Sequence, residues 1–141
     1  MYMGTRSLTK VIEKYDDGSK KTITTMYRQY DGYPAGHGID LAVWLQKYTI
    51  VNGIRGDETR LIANGMECLA AQMFSHFKDG PGGIYCMHPD AEDCGEEYIY
   101  EIQGNQSENI LITIHEVWKN KIIFEGSPKE LLIKYDETIK I

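Results

Sequence analysis

The chain predicts an α+β domain: an antiparallel β-sheet with two main helices packed on one face, folded as a single domain of residues 1–141. Three observations lead there. β-prone segments gather near both ends, within 8–30 and 96–125. Two stretches between them place apolar residues at helical spacing. Runs rich in Gly, Pro, Asn and Asp separate these segments. Strands grouped apart from helices, rather than alternating with them, favour a sheet with helices on one side. At 141 residues the chain suits one domain, and a domain this long buries roughly two-thirds of its unfolded surface.

Residues 8–15 are rich in strand formers and end at the turn Asp16-Asp17-Gly18. Residues 21–30, with Ile23, Thr24, Thr25 and Tyr27, read as the returning strand of a hairpin. DGYPAGHG, residues 31–38, holds three glycines and a proline and reads as a loop. Leu41, Trp44, Leu45 and Tyr48 then repeat at helical spacing and predict a short amphipathic helix over 39–48. A longer helix is expected from near Asp57, with acidic Asp57 and Glu58 at its positive end. Its apolar stripe is Ile62, Met66, Leu69, Met73 and Phe77, and Asp79-Gly80-Pro81-Gly82-Gly83 stops it.

The remainder reads as sheet. Tyr98, Tyr100 and Ile102 alternate with Glu97, Ile99 and Glu101. Residues 104–109 predict a polar turn, 110–118 a strand, Asn120 a tight turn and 122–125 another strand. Ser127-Pro128 with Glu130 is a helix-start pattern, leading into a short terminal helix over 131–135. The second face of the sheet is left for a ligand or another subunit, so a homo-oligomer is expected.

Composition narrows the function. Net charge is -6, which disfavours a nucleic-acid polymer as partner, since phosphates call for a basic face. No apolar run approaches the roughly 18 residues of a membrane span, and residues 1–14 lack a signal-type apolar core. Three cysteines, an odd number, with no secretion signal, point to a reduced cytoplasmic setting.

The chemistry concentrates in residues 27–38. Arg28 offers a planar fork for phosphate or carboxylate, and Gln29 both donates and accepts. Asp31, His37 and the phenols of Tyr30 and Tyr33 stand close by. The loop's glycines admit close backbone approach, and a helix N-terminus follows. The competing reading is a polar strand end with an ordinary turn, His37 near the cap. Arg6, in Gly4-Thr5-Arg6-Ser7, joins this group if the hairpin pairs from its turn outward; otherwise it is a solvated terminal residue. Cys86, His88 and Cys94 lack the spacing of a structural zinc site. The acidic run 92–97 reads as a solvated edge rather than a cation site. His76 and His115 read as structural. No phosphate loop, nucleophile elbow or dinucleotide fingerprint is present, and the sequence calls for no cofactor and no metal.

Met3-Gly4-Thr5-Arg6-Ser7-Leu8-Thr9 and Tyr27-Arg28-Gln29-Tyr30-Asp31-Gly32-Tyr33-Pro34, continuing to Gly36-His37-Gly38, resemble a family of small proteins encoded by phages and prophages. Asn64-Gly65-Met66 and Asp93-Cys94-Gly95-Glu96-Glu97-Tyr98 fit the same pattern, so the resemblance covers most of 3–102. It implies a start at Met3 and supplies no catalytic residues. By analogy with other small phage proteins, it also suggests interference with host defence.

Three functions follow, in order of preference. The first is a sponge-like binding protein that sequesters a small nucleotide-like signal, such as a cyclic nucleotide or ADP-ribose derivative. Arg6 and Arg28 would meet phosphates, Tyr30 or Tyr33 would stack on a base, and Gln29, Asp31 and Asn64 would bond base or ribose edges. The second is a hydrolase of such a ligand, with His37 as acid or base and Asp31 orienting it. The third is a protein-interaction inhibitor using its acidic, Tyr-rich surface.

Overall fold

The computed structural model describes residues 4–53, 61–105 and 108–136. β1 (Ser7–Lys14) and β2 (Lys20–Arg28) form the expected hairpin. Gly18 takes φ +88° in its turn, and the Asp17 carboxylate accepts from Ser19 N and Oγ at 2.8 and 2.6 Å. β5 (Ile84–Met87), β6 (Tyr98–Asn105), β7 (Glu108–Glu116) and β8 (Lys121–Gly126) complete a six-stranded sheet ordered β5-β2-β1-β6-β7-β8. Every neighbouring pair is antiparallel except β1 and β6 at the centre, which run parallel. Parallel neighbours need a long crossover, and the chain from β2 to β6, carrying two helices, supplies it.

Those helices are α1 (Ile39–Leu45) and α2 (Gly65–Phe77); α3 (Pro128–Tyr135) follows the sheet. Leu41, Leu45, Met66, Leu69, Met73 and Leu131 from the helices meet Val11, Met26, Tyr100, Ile102, Ile112 and Ile114 from the sheet in one core, each at most 1% exposed. The stripe on α2 is as the sequence predicts from Met66 onward. The beginning of that helix is not. Ile62 belongs to β4 (Ile62–Asn64), which pairs in parallel with β3 (Thr49–Val51) in a small second sheet. Gly65 then takes φ +81°, a conformation that interrupts a helix, so α2 starts there. Asp57 and Glu58 lie outside the described residues, as does Met3.

Three further departures are local. Pro34–Gly38 is a single π-helical turn that runs on into α1, where a loop is expected. β5 is a strand the sequence hides, because it is short and preceded by glycines. β6 and β7 reach Asn105 and Glu108, into the stretch expected to be a polar turn.

The outer face of the sheet is partly roofed by the chain near 88–96. Lys10 Nζ donates to Thr25 Oγ1, Pro89 O and Ala91 O at 3.0, 3.1 and 2.9 Å. Beside it a cavity of about 500 Å³ is lined by Glu101, His115 and Ile122, among others. His115, expected to be structural, shares a 2.8 Å hydrogen bond with Glu101.

On each edge strand of the sheet a lysine occupies one carbonyl. Lys78 Nζ donates to Ile84 O at 2.7 Å on β5, and Lys134 Nζ donates to Ile123 O at 2.7 Å on β8. Ile84 N donates back to Gly82 O at 2.8 Å. Among the described residues, no helix is long and apolar enough to cross a membrane.

α3 depends on a complete capping box. Glu130 N donates to Ser127 Oγ at 3.1 Å, and Ser127 N donates to Glu130 Oε1 at 3.0 Å. Ser127→Ala is expected to cost about 1 kcal/mol of unfolding free energy, measured by urea denaturation. An unchanged midpoint would show that packing alone holds the helix.

Candidate functional site

Ser7 pairs with Arg28, and Thr9 pairs with both Met26 and Tyr100. Arg28, Thr9 and Tyr100 therefore stand on the core-facing side of the sheet, at the end of β2. The π-helical turn delivers His37 onto that platform, where it is 0% exposed. Pro34 opens the turn with a fixed φ suited to helical chain. Asp31, at φ +59°, bends the chain back so that His37 N donates to Asp31 O at 2.8 Å.

The ring of His37 is held on every side. Arg28 Nη1 lies 2.8 Å from Nδ1, and Thr9 Oγ1 lies 2.7 Å from Nε2. A guanidinium can only donate, so Nδ1 accepts, and Nε2 carries the proton and donates to Thr9. Tyr100 and Phe77 approach the ring edge-on, at 4.8 and 5.3 Å between centroids. Burial, and secondarily the charge of Arg28, lower the imidazole pKa from 6.5 to about 3, so it is neutral. Tyr100, its own phenol pushed well above the ordinary range by burial, donates its hydroxyl to Gly32 O at 2.7 Å and ties the loop to the core.

Arg28 is held in turn. Nε donates to Tyr30 O at 2.7 Å, and Nη1 is committed to His37. The Nη1/Nη2 fork faces Asp40 Oδ2 at 3.5 and 3.4 Å. Strong charge-assisted bonds are shorter, near 2.8 Å. Asp40 is more than half exposed, whereas the Arg28 side chain is 17% exposed. The arginine is thus a rigid donor with a loosely held, exposed partner.

Its exposed part lies in a cleft of about 480 Å³ between the end of β2, α1, α2 and the glycine run before β5. Tyr30, Asp31 and Asp40 line one side; His76, Phe77 and Asp79 line another; Gly82, Gly83 and Ile84 form a rim. One guanidinium thus stands among three carboxylates. His76 stacks on Trp44, with centroids 5.5 Å apart and planes 16° apart, and Tyr30 is 52% exposed. The cleft offers flat aromatic surface, one donor fork and several acceptors.

Of the residues singled out from sequence, Arg28, Tyr30 and Asp31 line this cleft together. His37 supports it from beneath without reaching it. Tyr33 is 41% exposed and lies outside the lining, its hydroxyl 3.5 Å from Asp31 Oδ1. Gln29 donates its backbone N–H to Gly83 O at 2.8 Å, and its side chain is not among the lining groups. Arg6 is near in backbone only. One residue out of step with the Ser7–Arg28 pair, it points to the other side, with Nη1 2.5 Å from where a Cβ on Gly95 would sit. Asn64 is remote: its Oδ1 accepts from Gly53 N at 2.7 Å and joins the end of β4 to the chain after β3.

Sequence reasoning misses Asp40, His76, Phe77 and Asp79. His76 sits beside the apolar stripe of α2 and so reads as structural, while Asp79 reads as part of a helix stop. A usable signal existed for Asp40: an acidic residue in the first turn of the helix that follows the loop. Among the described residues no group of three or more His, Cys, Asp or Glu is placed to hold a metal ion. No family model, curated protein or solved structure matches the chain.

The buried imidazole makes a testable mark on stability. Between its ordinary pKa and about 3, the unfolded chain takes up a proton that the folded chain refuses. Stability is lost as pH falls through that window, by up to about 1.4 kcal/mol per pH unit, and this group contributes no slope above it. His37→Gln is expected to show a shallower loss than the parent in urea titrations from neutral pH to about pH 4. Parallel curves would mean that His37 is protonated inside the fold.

Proposed function

We propose that this protein binds and holds a small nucleotide-like molecule in the cleft above Arg28, without transforming it. The observation that carries this reading is the fixed guanidinium. It is braced by a neutral histidine and a backbone carbonyl, so its remaining donors are oriented before any ligand arrives. Preorganised donors cost little to engage. Aromatic surface from Tyr30, His76 and Phe77 lies beside it in a cleft of suitable volume.

The three carboxylates shape the ligand. They oppose a dense cluster of phosphates deep in the cleft and favour a neutral or singly charged ring-and-ribose part there, with further phosphates left at the open mouth. The resemblance to phage-encoded proteins supports a purpose for tight binding without turnover: withholding a signalling nucleotide from a host defence system.

A hydrolytic reading based on His37 loses its support. Both ring nitrogens are engaged, the ring is sealed from the cleft, and Asp31 meets it only through the backbone.

Thermal unfolding with a panel of nucleosides, mononucleotides, cyclic nucleotides and ADP-ribose tests the proposal. A ligand at about 100 times its dissociation constant adds roughly 2.7 kcal/mol of stability and raises the midpoint by several degrees. Arg28→Lys is expected to abolish that rise, because an ammonium lacks the fork. Asp79→Asn and Tyr30→Ala, changes at the cleft surface, are expected to weaken it while leaving the free protein's midpoint nearly unchanged. Recovery of the ligand intact supports holding. Recovery of a product, or no rise with any ligand on the panel, overturns the proposal.

A further inference from the structure

The arrangement of Arg28 and Asp40 specifies more than a nucleotide in general. At the cleft the Arg28 fork faces the Asp40 carboxylate, with Nη1 and Nη2 3.5 and 3.4 Å from Oδ2. With the carboxylate turned from the end of the fork to its flank, the pair offers two donors followed by two acceptors. Few planar rings present the complementary series of two acceptors and then two donors on adjoining edges. Guanine does, in the order N7, O6, N1–H and the N2 amine. Adenine offers N7 and then an N6 donor, which would face a guanidinium N–H; cytosine and uracil are too short to span both groups.

We propose, building on the nucleotide-holding reading above, that the cleft is selective for a guanine ring: Arg28 donates to O6 and N7, Asp40 accepts from N1–H and the N2 amine, and the ring lies against His76.

Four features support it. The Arg28 fork is only loosely occupied by Asp40, so an incoming acceptor pair displaces a weak contact. Asp40 is 57% exposed on the first turn of α1, so it is able to swing from the end of the fork to its flank. Arg28 itself stays in place, because Nε and Nη1 remain bonded to Tyr30 O and His37 Nδ1. His76, one face on Trp44 and itself lining the cleft, provides a shelf on which a third ring continues the stack. The pairing also accounts for a carboxylate beside the arginine, which a phosphate site would not want.

Binding of guanosine, 7-deazaguanosine, inosine and adenosine to the intact protein, measured by isothermal titration calorimetry, decides the matter. Guanosine is expected to bind at least about tenfold more tightly than adenosine, in line with the discrimination of one good bidentate pair. 7-Deazaguanosine, which lacks N7, and inosine, which lacks the N2 amine, are each expected to bind several-fold more weakly than guanosine. Asp40→Asn, a surface change that leaves the His37 brace alone, is expected to erase the difference between guanosine and inosine. Equal affinity for guanosine and adenosine would overturn the guanine assignment and leave the nucleotide cleft standing. Affinity unchanged by loss of N7 would overturn the role of Arg28. No binding of any of the four would overturn the assignment, and the panel of larger nucleotides would then tell whether the holding function falls with it.

Discussion

The site rests on one hydrogen-bonded chain, Thr9 to His37 to Arg28, threaded through the end of the core. A neutral imidazole is the side chain that does this well. It accepts from a guanidinium on one nitrogen and donates to a hydroxyl on the other, so two strands and a turn are joined without a buried carboxylate. An imidazolium there would face Arg28 with a second positive charge and no water, which is why burial and Arg28 both disfavour it. The same contact orients the turn. With His37 inserted between Tyr100 and Phe77, the chain must leave the platform as α1, which sets Asp40 at the mouth.

The consequence is a division of labour within a dozen residues. His37, the most eye-catching group in the motif, is an internal strut. Arg28 has one half in the core and one half in the cleft. The residues that give the cleft its aromatic walls and much of its acidity come from α1, α2 and the chain after α2. Arg28 is held rigidly this way, fixed by its contacts with His37 and the Tyr30 carbonyl.

Much of the fold was legible in the sequence. Alternation and turn residues reveal the hairpin and the three later strands, and the 66–77 stripe reveals α2. The parallel pairing of β1 with β6 was not legible, since strand order depends on the route of the crossover. The true start of α2 was hidden because Ile62 satisfies the helical repeat by coincidence while Asn64-Gly65 breaks it. At the site, Arg28, Tyr30 and Asp31 could be found because unusual groups crowd together along the chain. His76 and Asp79 could not, because they are 45 to 51 residues away in sequence and become neighbours only when α2 packs on the sheet. Arg6 shows the reverse error: adjacency along paired strands is not adjacency of side chains, because neighbouring residues on a strand point to opposite faces.

The lysines at the two borders of the sheet carry a different consequence. Lateral growth of a β-structure needs a row of vacant amides and carbonyls for the next chain to zip onto. Here a lysine from a neighbouring helix end occupies a carbonyl at each border, and on β5 the glycine run takes up an amide as well. At those points each border offers an incoming strand fewer vacant groups. A strand from another copy that pairs there must first displace a lysine from its carbonyl.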